Sequence, residues 1–179
     1  MKEIIYRLMR IEECDKIREI DPTHYIKNAW RLVDGERKLV EIDYLDNDWP
    51  DGYDYYRNKL EETILSEGVA FGAFESNGRM IAFATLDHDF FGERAKHLLL
   101  DSMFVSRECR GKGIGKSLFK MCAEQAKEWG ADKLYMCAGS AEDTIAFYSS
   151  LGCTEAEEIN EALFEEDPRD MQLEYKLNG

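Results

Sequence analysis

Proline is scarce in this chain. Only Pro22, Pro50 and Pro168 interrupt the 179 residues, and neither an internal repeat nor a low-complexity tract appears, so nothing suggests an interdomain linker. One domain with one substantial core is expected. Long hydrophobic runs are missing as well. No uncharged stretch approaches the roughly 18 residues needed to cross a bilayer, and the N-terminal MKEIIYRLMRIEECDKI mixes charges among its apolar residues. Neither a signal peptide nor a membrane anchor is expected. The five cysteines (Cys14, Cys109, Cys122, Cys137, Cys153) are odd in number and contain no C-x-x-C pair. That pattern predicts reduced thiols in a cytoplasmic protein, without disulfides and without a metal site. Positive charge is the minority sign, with 23 bases against 37 acids and a net charge of -14. Such a balance disfavours nucleic acid and anionic membrane as partners and favours a small cationic molecule, although acidity also serves solubility.

What is present alternates in period. EIIYRLM reads as a strand, and Glu12 to Ile20, with Ile11, Cys14, Ile17 and Ile20 three apart, as a short helix. Asp34-Gly35 between two apolar runs predicts a β-hairpin, with a helix as the alternative. Tyr53 to Leu65 reads as a helix. VAFGAFE, MIAFATLDHDF and KHLLLDSMFV are three strand-like runs joined by short turns, which predicts an antiparallel meander. From Gly113 to Trp129 the apolar stripe Ile114, Leu118, Cys122, Ala126 is helical, and Gly130 ends it. DKLYMCA is a strand, Glu142 to Leu151 a helix closed by Gly152, and MQLEYKL a final strand. The class is α/β, a mixed and largely antiparallel sheet with helices on both faces.

The stretch RECRGKGIGKSLFK concentrates chemistry. Arg107, Arg110, Lys112, Lys116 and Lys120 stand there against Glu108, around Gly111, Gly113 and Gly115. A Walker A loop fails because its first glycine falls on Arg110, and a dinucleotide fingerprint fails because its third falls on Lys116. The pattern that fits is [RQ]-x-x-G-x-[GA], met by Arg110, Gly113 and Gly115 between a strand and an amphipathic helix. Glycines there let backbone N–H groups approach a pyrophosphate at the positive end of a helix.

With MFVSRECRGKGIGKSLF followed by SAEDTIAFYSSLGC, the chain resembles the GNAT superfamily of acyl-CoA-dependent N-acetyltransferases. The resemblance covers roughly Val69 to Leu177 and implies a single GNAT-like domain over 1-179, with a variable acceptor side (1-68) and a core carrying the coenzyme motifs (69-177). It implies acetyl-CoA as co-substrate, with contacts from Met103, Phe104, Val105, Arg110, Gly111, Lys112, Gly113, Ile114, Gly115 and Lys116. It implies a primary-amine acceptor attacking the thioester directly, Tyr148 as the acid that protonates the departing thiolate, and no acyl-enzyme on Cys109 or Cys137. A homodimer is compatible with it. Where many members carry asparagine seven residues before the tyrosine, this chain has Ala141, so Ser140, Asp143 or Thr144 would have to replace it.

Asp101 is a candidate base, with His97 and His88 behind it. The segment EIDYLDNDWPDGYDYY, acidic and aromatic together, is a candidate site for a cationic amine. An acyl-CoA sensor without catalysis and an enzyme acting on protein or peptide amino groups are the alternative readings.

Overall fold

The three apolar runs form the expected meander in the computed structural model, which describes residues 2–177; the ends of the expected 1-179 span lie outside the described residues. Strands β4 (Val69–Glu75), β5 (Met80–Leu86) and β6 (His97–Val105) pair antiparallel in chain order. All of β5 is buried, as a strand covered on both faces must be. Strand β1 (Ile4–Leu8) adds against β4. Beyond β6 lie β7 (Lys133–Ala138), β9 (Met171–Lys176) and β8 (Thr154–Glu155), completing the order β1-β4-β5-β6-β7-β9-β8. Among the described residues β6–β7 is the one parallel pair.

Two apolar clusters cover the two faces. Helix α1 (Tyr53–Leu65) and the 3₁₀ helix Ile11–Glu19 pack Ile17, Trp49, Leu60, Phe74 and Phe83 on one side. Helix α2 (Ile114–Glu128) packs Leu118 and Cys122 against Leu86, Leu98 and Leu100 on the other, joined by Ile145 and Tyr148 of α3 (Glu142–Ser150). The fold is thus the mixed, mostly antiparallel α/β sheet with helices on both faces that the sequence predicts.

Some details differ from expectation, the short strand β8 among them. Ile11–Glu19 is 3₁₀ and not α, because its apolar residues recur every three positions, and only a three-residue turn stacks such a row on one face. A short helix α4 (Glu161–Glu166), opened by Asn160 accepting from the Leu163 N–H, was not foreseen. It buries no residue, so it leaves no periodic trace in the sequence.

The hairpin is formed by β2 (His24–Val33) and β3 (Glu36–Asp46), with Asp34 at φ 52° and Gly35 at φ 80° supplying the left-handed pair its two-residue turn needs. It stands apart from the main sheet and leans on the start of α3. Trp30 N–H donates to the Ser140 carbonyl at 2.8 Å, and Ala29 bridges Ala141.

Candidate active site

The central strands part beside the glycine loop. Strand β6 pairs with β7 only from His97 to Leu99, against Lys133 to Tyr135. Beyond that point β6 stays with β5 through Val105, and β7 with β9 through Ala138, so a wedge opens between them. A bulge assists: the β5–β6 register shifts between Ala84–Met103 and Leu86–Leu100, and such an insertion bends the strand. It also exchanges faces. Leu98 and Leu100 point toward α2 before it and Met103 and Val105 after it, while Asp101 turns to α1, where Lys59 Nζ lies 3.3 Å from its carboxylate.

Strand alternation then assigns the backbone. Ser106 N–H donates to Ile81, so Phe104 likewise spends its peptide groups on β5, and Met103 and Val105 face the wedge. The Phe104 ring serves the opposite face, 4.7 Å from Trp49 and 4.8 Å from Tyr56 between ring centres.

The glycine loop ends at the head of α2. Gly111 and Gly113 have φ of 76° and 82°, and a Cβ on either would project into open space. Backbone is therefore the outermost surface there, and the first amides of α2, from Ile114 to Lys116, have no carbonyl one turn back. Gly115 is different. A Cβ on it would come within 3.2 Å of Phe147 and 3.7 Å of Met103 Sδ, so this glycine lets α2, α3 and β6 approach. Arg110 is already engaged, its Nε on the Val105 carbonyl at 2.9 Å and its Nη1 on Thr23 at 2.7 Å, which ties the loop to the start of β2. Lys112 donates to Glu108 O at 3.2 Å, while Lys116 makes no side-chain bond among the described residues.

Tyr148 is 8% exposed, its ring 5.1 Å from Phe147 and 6.4 Å from Phe119. Burial, with the Cys153 and Cys122 thiols nearby, raises its phenol well above the ordinary value and keeps it protonated. Burial also pushes the Cys137 thiol up to about 12, with Asp170, Asp101 and Glu166 adding to the effect, and raises Cys109. Neither thiol has the low pKa of an activated nucleophile.

Around Ala141, Ser140 Oγ accepts from Arg31 at 2.7 Å and Asp143 pairs with His24 at 2.8 Å. The Thr144 hydroxyl makes no hydrogen bond among the described residues. His88 stacks on Trp129 at 3.7 Å. His97 is buried between Glu158 and Glu174 at the paired end of β6, 3.7 and 3.6 Å away. The open part of the wedge thus holds Asp101 and neither histidine.

On the α1 side the structure gathers carboxylates that the sequence keeps apart. Asp51 accepts from the Tyr56 hydroxyl at 2.9 Å. Burial, with Asp167 and Asp51 nearby, lifts Asp170 to about 7. Burial and the Asp101 charge lift Asp87 to about 6. Of the acidic aromatic segment, Asp51, Tyr53, Tyr55 and Tyr56 border this region, while Asp43 belongs to the hairpin, bonded by Tyr25. Lys59, Asp87 and Asp170 carry no motif and were not foreseen; only the packing of α1 and the approach to β9 onto the strand ends brings them together. No helix among the described residues is long and apolar enough to cross a membrane.

Solved structures of similar fold include nourseothricin acetyltransferase (TM-score 0.74, 19% identity, 97% of this chain and 98% of that one). A putative streptothricin acetyltransferase from Bacillus anthracis str. Ames, in complex with acetyl coenzyme A, superposes at 0.72 with 14% identity over 98% of both chains. The PaiA N-acetyltransferase from Thermoplasma acidophilum, in complex with coenzyme A, gives 0.63 with 18% identity over 97% and 99%. Among curated proteins, none matches. The model of the acetyltransferase (GNAT) family matches residues 34–153, which include the glycine loop, the wedge and Tyr148. This chain belongs to the GNAT acetyltransferase family.

Proposed function

We propose that the protein transfers an acetyl group from acetyl-CoA to a primary amine, by direct attack, and that the acceptor is a small cationic molecule. The observation that carries this reading is the wedge between β6 and β7, opening beside a glycine loop whose outer surface is bare backbone. The pyrophosphate lies against the amides of Gly111 to Lys116, with Lys112 and Lys116 adding charge. The pantetheine arm pairs with the backbone that Met103 and the Val105 N–H turn to the wedge, the Val105 carbonyl being held by Arg110. Arg110 braces this frame through the Val105 and Thr23 carbonyls. A backbone N–H on β6 polarises the thioester carbonyl, a kind of contact worth about 3 kcal/mol in acyl transfer.

The acceptor enters from the α1 face, shaped by residues 1–68 together with the strand ends, where Asp51, Asp101 and Asp170 favour an ammonium group and Tyr55 and Tyr56 offer ring faces. Asp101 takes a proton from the ammonium, and the freed nitrogen pair attacks the carbonyl carbon. As the C–S bond breaks, the sulfur takes its proton from Tyr148, which is refilled by the second N–H proton. The similar folds named for nourseothricin and streptothricin acetyltransferases support a small-molecule acceptor.

The test is free-thiol release from acetyl-CoA with nourseothricin, spermidine and a lysyl peptide as acceptors. Release with the small amines is expected; acetyl-CoA binding without release from any of them would leave a coenzyme-sensing module. Tyr148→Phe is expected to lower kcat about 100-fold with acetyl-CoA affinity retained. Unchanged turnover would make Tyr148 a core residue only.

A further inference from the structure

We propose that the free edge of β3 is a self-association surface, on which a second copy of this chain adds its own β3 antiparallel, about a two-fold axis at Leu39.

Strand β3 pairs with β2 and with no other strand among the described residues. It runs for 11 residues without proline. It exposes Leu39, Val40, Tyr44 and Leu45, more large apolar side chains than any other element among the described residues. Such an edge is a template for another strand unless something blocks it, and a hairpin of two strands is marginal without further support. Trp30 fixes the phase of the pairing. Its N–H donates to the Ser140 carbonyl, away from β3, and Trp30 stands opposite Leu39 in the register. Opposite residues of an antiparallel pair turn their peptide groups together, either toward each other or away. Leu39 therefore turns its N–H and C=O outward, and so do Arg37 and Glu41, two residues to either side. No loop or helix among the described residues bonds these groups.

The order of side chains along this edge names the occupant. Arg37, Leu39 and Glu41 project from one face of the strand. A two-fold axis at Leu39 sets Arg37 of each copy against Glu41 of the other, with Leu39 against Leu39 between the two ion pairs. On the opposite face Lys38 meets Val40. An axis at Lys38 or at Glu41 would bring like charges face to face instead. Arg37 Nε donates to Glu155 at 2.5 Å, which leaves its Nη groups for the Glu41 of the other copy. Beyond Glu41 the regular edge ends, because Ile42 and Asp43 stand against Lys27 alone and Asp43 takes φ 44°. That bulge shortens the edge and so limits slippage of the register. The contacts with α3 lie on the β2 edge, so a strand added on β3 leaves them intact and joins both hairpins in one sheet.

The test is sedimentation velocity of the full chain from low to high micromolar concentration, with amide exchange at Arg37, Leu39 and Glu41 followed by NMR. A reversible monomer–dimer equilibrium is expected, and the three amides should exchange more slowly as concentration rises. Leu39→Pro removes a donor that β2 does not use, so it should abolish association while the hairpin persists. Arg37→Glu or Glu41→Arg alone sets like charges in register twice and should weaken association about tenfold. Combining the two exchanges should restore it, a rescue that a misfolded hairpin would not show. A chain that stays monomeric at every concentration overturns the proposal. So does a dimer in which the three amides exchange at the monomer's rate, since its contact lies elsewhere on the surface. A folded double variant that associates as weakly as the single ones overturns the pairing as well.

Discussion

Gly113 illustrates how a single residue joins backbone conformation to binding. At φ 82° it opens α2 in the left-handed region, and a Cβ there would meet no atom, so the demand for glycine comes from the dihedral alone. Gly113→Ala should cost about 1–2 kcal/mol, read as a lower urea midpoint, and should weaken acetyl-CoA binding measured by calorimetry. Undiminished affinity would place the coenzyme elsewhere. The requirement at Gly113 was legible in the spacing of the motif. The engagement of Arg110 was not, because its partners are carbonyls on Thr23 and Val105, and carbonyls are present at every position of any sequence.

At the scale of elements, the loop before α1 is held by Trp49, whose ring centre lies 4.7 Å from Phe104 and 5.4 Å from Tyr56. That contact joins the loop before α1 to the very strand whose other edge faces the wedge. Trp49→Ala should cost about 3–5 kcal/mol of stability and raise the acceptor KM while sparing acetyl-CoA binding; equal losses of both affinities would mean that the loop supports the whole site. The strands and the two long helices were legible because their apolar residues recur at period 2 or 3.6. The hairpin was legible through Asp34-Gly35, but its seat on α3 was not. That seat joins Asn28 to Glu142 and Arg31 to Ser140, polar residues more than a hundred positions apart that carry no periodic signal.

For the whole molecule, the concentration of acid on one side has a cost in alkaline solution. Asp87 and Asp170 titrate at about 6 and about 7 in the folded chain, above the ordinary value of 3.8. A carboxyl raised in this way keeps its proton folded when the unfolded chain has lost it. Its contribution is therefore full at pH values below the ordinary one and disappears as pH rises through the folded value. Asp170→Asn should then melt above the wild type at pH 8 and level with it at pH 4. Allowing for solvent screening of a partly exposed group, the gain at pH 8 is about 2–4 °C, the response of a chain this size to about 1 kcal/mol. Equal melting temperatures at both pH values would mean that Asp170 is solvated. The net charge of -14 indicates an acidic surface, whereas the placement of these two carboxyls at the wedge is decided by packing.

The amino-acid sequence by itself determined the order of the main elements, the glycine loop and the family, because those depend on neighbours within a few residues: period, turn residues and glycine spacing. Only the tertiary structure decided where β6 leaves β7, which backbone edges stand free, and how Asp101 meets Lys59. A bulge sets the first two, and the packing of α1 across strand ends sets the third. Both are balances struck between segments far apart in the chain, where no local pattern records the outcome.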